Sequence, residues 1–412
     1  MASDSKFSTR VYGALDRLGP LLAMVGVWAL FAMLQWRSFA TIANSQSILL
    51  QTAVVGVAAL GATMIIIAGG IDLSVGSLIA LVCVVTSMII RAAGAAPEMP
   101  AGGAQLAEAA TATSPTIILL LACVAGLVVA ALCGLTIGTM ITGRHWLVFA
   151  LTAVGLGAFL AWHYGRPLFQ SWPGRITLCL LAVLAALSLW ADRRLRPRMM
   201  LTPFIVTLGM WGALRGTAKG LADNSAIYIP ADFALPNVMQ MPATPRSSAQ
   251  LLAHPGDWWS PGVWIFFVLA LLVAGMLRYT QFGRHIFAIG SNEQTARLCG
   301  IHVERTKLKI YAIAGLLTGT AGLLQFFFLG VGDPTTAAGF ELKVIAAVVI
   351  GGASLSGVVG SVLGTVAGAL MMTIIDNGCT KVGLEVWMQE IITGGIIVAA
   401  VALDQLRHRG AR

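Results

Sequence analysis

Charge-free apolar runs set the terms for this chain. From Ser38 to Ile71 there is not one charged residue, and from Leu73 to Ile90 there is none again. A run of about 18 apolar residues can cross the hydrocarbon layer as a helix. Inside that layer every backbone N–H and C=O must be satisfied by the protein, which leaves helices or closed barrels. Barrel strands alternate in hydrophobicity, and these runs do not. Charge-free runs recur at Leu18–Trp36, Ser47–Gly69, Leu73–Ile90, Thr116–Ile141, Trp146–Trp162, Ile176–Ala191, Pro203–Leu214, Pro261–Leu277, Ile310–Val331, Val344–Ile375 and Ile391–Leu403. Only 10% of the 412 residues are charged, against about a quarter in soluble domains. The expected fold is therefore all-α, a polytopic helical membrane protein with roughly 11 or 12 membrane elements.

The Val344–Ile375 run is too long for one simple crossing and is interrupted at Gly351-Gly352 and Ser356-Gly357. It reads as a broken or re-entrant element followed by a full helix. Orientation follows from basic residues, which favour the cytoplasmic side. Lys6, Arg10 and Arg17 precede the first run, so the N-terminus is expected in the cytoplasm. Alternating spans then bring Arg144, the Arg193–Arg198 cluster, the Arg278–Lys309 loop and the C-terminal arginines to the same side. The net charge of +9 reads as this topology signal, and no nucleic-acid partner is expected. The first run is longer than a signal-peptide core and lacks a small-residue cleavage site, so it reads as an uncleaved anchor.

Several chemistries find no motif. No lysine follows a glycine, which excludes the phosphate loop G-x-x-x-x-G-K-[ST]. The six cysteines are scattered without C-x-x-C spacing, so neither a disulfide framework nor a zinc site is expected. No cofactor, metal or catalytic residue is assigned.

Between the second and third runs stands AGGIDLSVGS, Ala68–Ser77. An aspartate at the centre of a membrane helix costs about 2.5–3.5 kcal/mol on insertion scales. Gly69-Gly70 can break the preceding helix, and Asp72 or Ser74 can cap the next one. One reading is a capped turn between spans; the other is a broken-helix site lining a polar path. A second copy bears on the choice: GGASLSGVVGS at Gly351–Ser361 matches GGIDLSVGS at Gly69–Ser77, with two extra residues. Paired interruptions are a sequence pointer to a transporter built from two related halves around a central pathway.

The loop Gln281–Lys307, QFGRHIFAIGSNEQTARLCGIHVERTK, carries a third signal. Ser291 and Gln294 form a capping-box pattern, and Gly300 offers a left-handed stop. A short helix over Asn292–Cys299 is expected between them, a rigid knob for a cytoplasmic partner.

Together, GGIDLSVGS, GRHIFAIGSNEQTARLCGI, ELKVIAAVVIGGASLSGVVGSVLGT and PFIVTLGMWGALRG resemble the permease subunits of bacterial monosaccharide ABC importers, the ribose, xylose, arabinose and galactose type. The resemblance covers most of 47–140 and 203–403. It implies one permease domain over 1–412, multi-pass in the inner membrane with both termini cytoplasmic. It implies a second permease copy, a separate cytoplasmic ATPase subunit, a periplasmic sugar-binding protein, and no enzymatic activity in this chain. The loop 281–307 would be the coupling loop, with Arg284, Ser291, Asn292, Glu293, Ala296, Arg297, Gly300 and Ile301 as its docking residues. For the pathway, the uncharged hydroxyl-rich cargo calls for neutral hydrogen-bonding groups and aromatic walls. Gln51, Asp72, Ser74, Phe204, Thr207 and Trp211 are the candidates.

One segment departs from the shorter ribose-type pattern. Residues 144–200 supply an inserted hairpin of two spans, as in longer xylose-type permeases, which tilts the expected cargo towards a pentose such as xylose. Two rivals stand beside this reading. One is a related ABC permease for another small solute. The other is an ion-coupled secondary transporter using buried carboxylates, for which Asp72, Asp376 and Glu390 are the evident candidates.

Overall fold

The computed structural model describes residues 19–94, 115–143, 202–230, 233, 235, 236, 238, 239 and 260–409, with side chains of the last helix described to residue 402. The expected hairpin at 144–200 and the N-terminal basic residues lie outside the described residues. The apolar runs fold as helices. In chain order they are α1 (Gly19–Leu34), α2 (Trp36–Phe39), α3 (Ile42–Ile67), α4 (Val75–Gly94) and α5 (Pro115–Ile141). After these come α6 (Pro203–Leu221), α7 (Pro261–Tyr279), α8 (Gln281–Ser291), α9 (Glu293–Leu298) and α10 (Val303–Leu329). The last three are α11 (Phe340–Ile350), α12 (Val362–Val382) and α13 (Val386–Arg409). Two short strands, β1 (Ile227–Tyr228) and β2 (Val331–Gly332), pair antiparallel with Ile227 opposite Gly332. Among the described residues, α3, α4, α5, α7, α10 and α12 are long and apolar enough to cross a membrane. This is an all-α, multi-pass membrane protein.

Helix α3 is the axis. Its 26 residues span about 39 Å at 1.5 Å per residue, and 94% of its apolar window is buried. A helix hydrophobic on every face belongs inside a bundle, and α10, α12, α7 and α11 surround this one. Lipid tails give no hydrophobic drive between helices, so close approach and interhelical hydrogen bonds replace it. Three polar rungs join α3 to α12. Asn44 Nδ2 donates to Asn377 Oδ1 at 2.9 Å, and the hydroxyls of Thr52–Thr373 and Thr63–Thr365 meet at 2.5 and 2.7 Å.

Helix α5 shows the other device. Only 22% of its apolar window is buried, yet Ala122, Gly126, Ala130, Gly134 and Gly138 form a buried row at four-residue spacing. That row carries α10 so closely that a Cβ on Gly134 would stand 2.3 Å from the Tyr311 carbonyl oxygen.

Two boundaries differ from the apolar runs. The run ending at Leu214 continues as helix to Leu221, because Arg215 is held by the protein rather than ending the span. Helix α10 begins at Val303, two turns before its charge-free part, and so projects beyond the apolar layer. The long run 344–375 is broken as expected, into α11 and α12. The 11 residues of α11 reach about 16 Å, half a crossing.

Candidate functional site: two broken turns and a coupling knob

Both glycine-rich stretches stop a helix by the same bonds. At the end of α3, Gly69 takes φ +78, its N–H reaching Ile66 O and the Gly70 N–H reaching Ile65 O, both at 2.9 Å. At the end of α11, Gly352 takes φ +90, its N–H reaching Val349 O at 2.9 Å and the Ala353 N–H reaching Val348 O at 3.1 Å. This is the Schellman stop, whose left-handed residue suits glycine. A side-chain turn then follows in each. Asp72 Oδ1 accepts from Ser74 N (2.8 Å) and Ser74 Oγ (2.6 Å). Ser354 Oγ accepts from Ser356 N at 3.3 Å and shares a 2.7 Å hydrogen bond with Ser356 Oγ. The stops pair Gly69 with Gly352 while the turns pair Asp72 with Ser354. The second copy thus has one residue fewer between stop and turn.

The first stretch is more than a turn between spans. Cys83 Sγ on α4 lies 3.3 Å from Gly322 O on α10, and a Cβ on Gly70 would stand 2.8 Å from the Tyr311 hydroxyl. Helix α4 therefore begins beside α10, and Gly70–Ser74 runs as non-helical backbone largely buried among the helices. Such backbone is tolerated only where the protein buries it. Asp72 is 8% exposed and Ser74 fully buried. The geometry makes Asp72 and Ser74 a side-chain turn that leads into α4.

Helix α6 clasps both non-helical stretches. Thr207 Oγ1 donates to Ile71 O at 3.2 Å. Two turns on, Arg215 Nη1 donates to Pro334 O (2.8 Å) and Thr336 O (2.7 Å), and Nη2 reaches Ala337 O at 3.5 Å. Those carbonyls belong to the segment that leads from β2 into the half-length α11. Asp333 and Glu341 lie within electrostatic range of the same guanidinium. Glu341 is buried, and its Oε2 has no hydrogen-bond partner among the described residues. Phe204 and Trp211 fall on the same side of α6 as Thr207 and Arg215, at three- and four-residue spacing, and are exposed (49% and 41%). Beside them Gly209, Gly212 and Gly216 have open space where a Cβ would be. Gln51 is not brought to this group: its position on α3 is 16 residues from Ile67, about 24 Å along the axis.

The loop 281–307 is two helices. Thr280 caps α8, its hydroxyl accepting from Gly283 N at 3.1 Å, and Gly283, Ile286 and Ile289 form its buried side. The cap of α9 differs from the expected Ser291/Gln294 box. Ser291 ends α8, and Asn292 caps α9 with Oδ1 accepting from Thr295 N at 2.9 Å. An extended backbone at Asn292 separates the two helices and moves the cap by one residue. The stop is as expected: Gly300 takes φ +81 and the Ile301 N–H reaches Ala296 O at 3.0 Å.

Ala296 was expected on the docking face and is instead inside, 4% exposed, packed with Ile289 and Val303 in a small apolar core. One turn of helix can bury only its inner side, and Ala296 is the small residue that fits there. Leu298 is the outward residue, 89% exposed at the tip. Glu293 and Arg297 are engaged within the chain. Arg297 bridges Glu293 (2.9 Å) and Glu304, and Lys307 Nζ reaches Glu293 Oε2 at 2.6 Å. The network ties α9 to the projecting end of α10, while Arg284 stands exposed on α8. Burial works against the charge on Glu293, but hydrogen bonds from Lys307 and Arg297 outweigh it and hold the carboxyl below its ordinary value. An acid lowered on folding contributes stability that is present above its unfolded value and lost as pH falls through the folded one. Amides of residues 293–300 should therefore keep their hydrogen-exchange protection through neutral and mildly acidic pH, and lose it only below about pH 4.

The knob touches both broken turns at one point. A Cβ on Gly290, near the end of α8, would lie 1.8 Å from Ile67 O at the end of α3. That same oxygen accepts from Val358 N at 3.0 Å, and Gly357 (φ +89) lies against Gly290 O. The end of α8 and both glycine turns converge there.

Residues 145–401 match the family described as branched-chain amino acid transport system / permease component. The chain is 30% identical to the xylose transport system permease protein XylH of Haemophilus influenzae, over 93% of this chain and 94% of that protein. It is 29% identical to the ribose import permease protein RbsC of Escherichia coli K12, over 94% and 93%. The probable ABC transporter permease protein YphD of E. coli K12 is 39% identical over 49% of this chain, and the match spans only 57% of YphD. No solved structure matches. The chain belongs to the family of transport permeases described as branched-chain amino acid transport system / permease component, whose members carry solutes rather than catalyse reactions.

Proposed function

We propose that this chain is the membrane-spanning permease of an ATP-binding-cassette importer that carries a monosaccharide, a pentose such as xylose, across the bacterial inner membrane. The observation that carries the reading is the α8–α9 knob, a rigid handle whose base abuts both broken turns. A separate ATPase gripping Leu298 and the exposed side of α8, including Arg284, would turn its own closure into displacement at Ile67 and Gly357. Serine and asparagine at 291 and 292, with Gly300 and Ile301, set the shape of that handle, and Glu293 and Arg297 stiffen it. Both termini and the knob then lie in the cytoplasm, and sugar arrives from a periplasmic binding protein. Two copies of the chain would enclose the pathway, lined by the open α6 face with Phe204 and Trp211. Thr207, Asp72 and Ser74 hold its frame, and Gln51 lies at a separate level. Similarity over nearly the full length to xylose and ribose permeases supports a pentose.

The test is uptake by proteoliposomes holding this chain, its ATPase and the cognate binding protein, challenged with a sugar panel. Uptake should need ATP inside and favour a pentose. Collapse of uptake with the ion gradient while ATP is intact would instead support ion coupling, for which Glu341 is a further buried carboxylate. Asp376 is engaged by Lys343 at 2.7 Å and Glu390 is exposed. A Leu298→Asp variant should cut ATPase co-purification by at least about tenfold, as expected for a buried interface anchor, without changing membrane insertion. Co-purification at the wild-type level would remove α9 from the docking surface.

A further inference from the structure

A cavity of about 380 Å³ opens between the start of α8 and the start of α10. Its polar lining carries two cations, Arg305 and Lys309, with His285 and His302, Thr306 and the Gln281 amide around them. Among the described residues no carboxylate lines it. The nearest acids on these elements, Glu293 and Glu304, accept from Lys307 and Arg297. Arg305 and Lys309 fall four residues apart, on one face of the helix. The depth of the cavity is set by what flanks it. Lys309 immediately precedes the charge-free part of α10. Tyr279, at the end of α7, is exposed with Arg278 5.5 Å from its ring centroid, and aromatic–cationic pairs of this kind collect at the headgroup level. Phe282 adds an apolar wall.

We propose that this cavity binds the phosphate of an anionic phospholipid headgroup. A phosphodiester presents several strong acceptors and a full negative charge to a donor set without a competing acid, and basic pockets on the cytoplasmic side of membrane helices bind such headgroups. The bound phosphate bridges the first turn of α8 to the first turns of α10, so it seats the base of the knob against the bundle. The site serves the coupling segment whatever the cargo.

The experiment uses the full chain in nanodiscs and in detergent, with native mass spectrometry reading retained lipid. Wild type in phosphatidylglycerol should retain a lipid that the Arg305→Gln/Lys309→Gln double variant holds at least about tenfold less well, the effect of two interfacial cations. An Arg284→Gln variant, which removes an exposed cation of α8 outside the cavity, should retain it as wild type does. Thermal unfolding confirms folding. Should the double variant fail to fold, each single variant is expected to lose about threefold, half of the two-cation effect. Equal retention by the double variant, or equal retention of phosphatidylcholine, would overturn the assignment. So would displacement of the lipid by inorganic phosphate at matched concentration, which would make this a site for a free anion.

Discussion

A Gly290→Val variant is expected to reach the membrane and to lose nearly all solute uptake. The position a Cβ would take is 1.8 Å from Ile67 O, and the obstacle is backbone, so no rotamer change relieves it. Overpacking of a tight site costs about 1–3 kcal/mol when side chains can shift, and a backbone wall takes the cost to the upper end or pushes α8 away. If α8 moves, the Ile67 carbonyl and the Val358 N–H that it receives at 3.0 Å lose the surface that holds them. The knob is then severed from both broken turns at once. Under the proposed function this uncouples the protein: the companion ATPase still binds Leu298, and its hydrolysis no longer drives uptake. Gly357→Ala is the companion test, because φ +89 at that residue penalises any side chain and its Cβ would meet Gly290 O at 3.1 Å, a milder approach than the 1.8 Å at Gly290. It should weaken uptake less. Uptake by Gly290→Val at the wild-type rate, with the variant's ATPase association intact, would show that force does not pass through this contact.

That junction was only partly legible beforehand. The two glycine stretches and the capped helix of the coupling loop each have a local cause, a left-handed stop or a side-chain cap, and local causes are written in neighbouring residues. Asp72, Ser74 and Gly300 are visible for that reason, as is the break in the run 344–375. The meeting of Gly290 with Ile67 and Val358 is a contact across hundreds of positions, and nothing near Gly290 announces it. Ala296 misled for a related reason. On a six-residue helix the pattern is too short to say which side faces in, and its partners Ile289 and Val303 lie on other elements. The α9 cap moved by one residue because the α8 helix, unrecognised as such, claimed Ser291. Phe282, Ile286 and Ile289, spaced at four and three residues, were the signal that would have found it.

Arg215 carries its own sequence signal, a charge followed by further helix, and its replacement should have the other large effect. A charge at the edge of an apolar run reads as the end of a span, yet α6 continues for a further six residues to Leu221. The cost of an arginine at membrane depth, about 2.5–3.5 kcal/mol on insertion scales, has to be offset by partners. Arg215 finds three carbonyls, Pro334, Thr336 and Ala337, with Asp333 and Glu341 in range. In exchange it satisfies the backbone of a segment that has no helix to satisfy it and fixes the start of α11. Arg215→Met keeps the length and removes the fork, leaving those carbonyls without their donors and the Glu341 carboxylate without its nearest cation. Arg215 is partly buried, and each hydrogen bond from such a charged group contributes about 1.5–3 kcal/mol. Arg215→Lys keeps the charge but offers a point donor where a planar fork is needed, and should recover only part of the loss. The expected order of uptake is wild type, then Arg215→Lys, then Arg215→Met, the last down by more than about a hundredfold, as 3 kcal/mol implies. Cysteine accessibility across residues 334–339 should rise in the same order as the segment comes loose. If Arg215→Met transports as well as Arg215→Lys, the segment stands without its clasp and the half-helix owes its place to α12 and α3 alone.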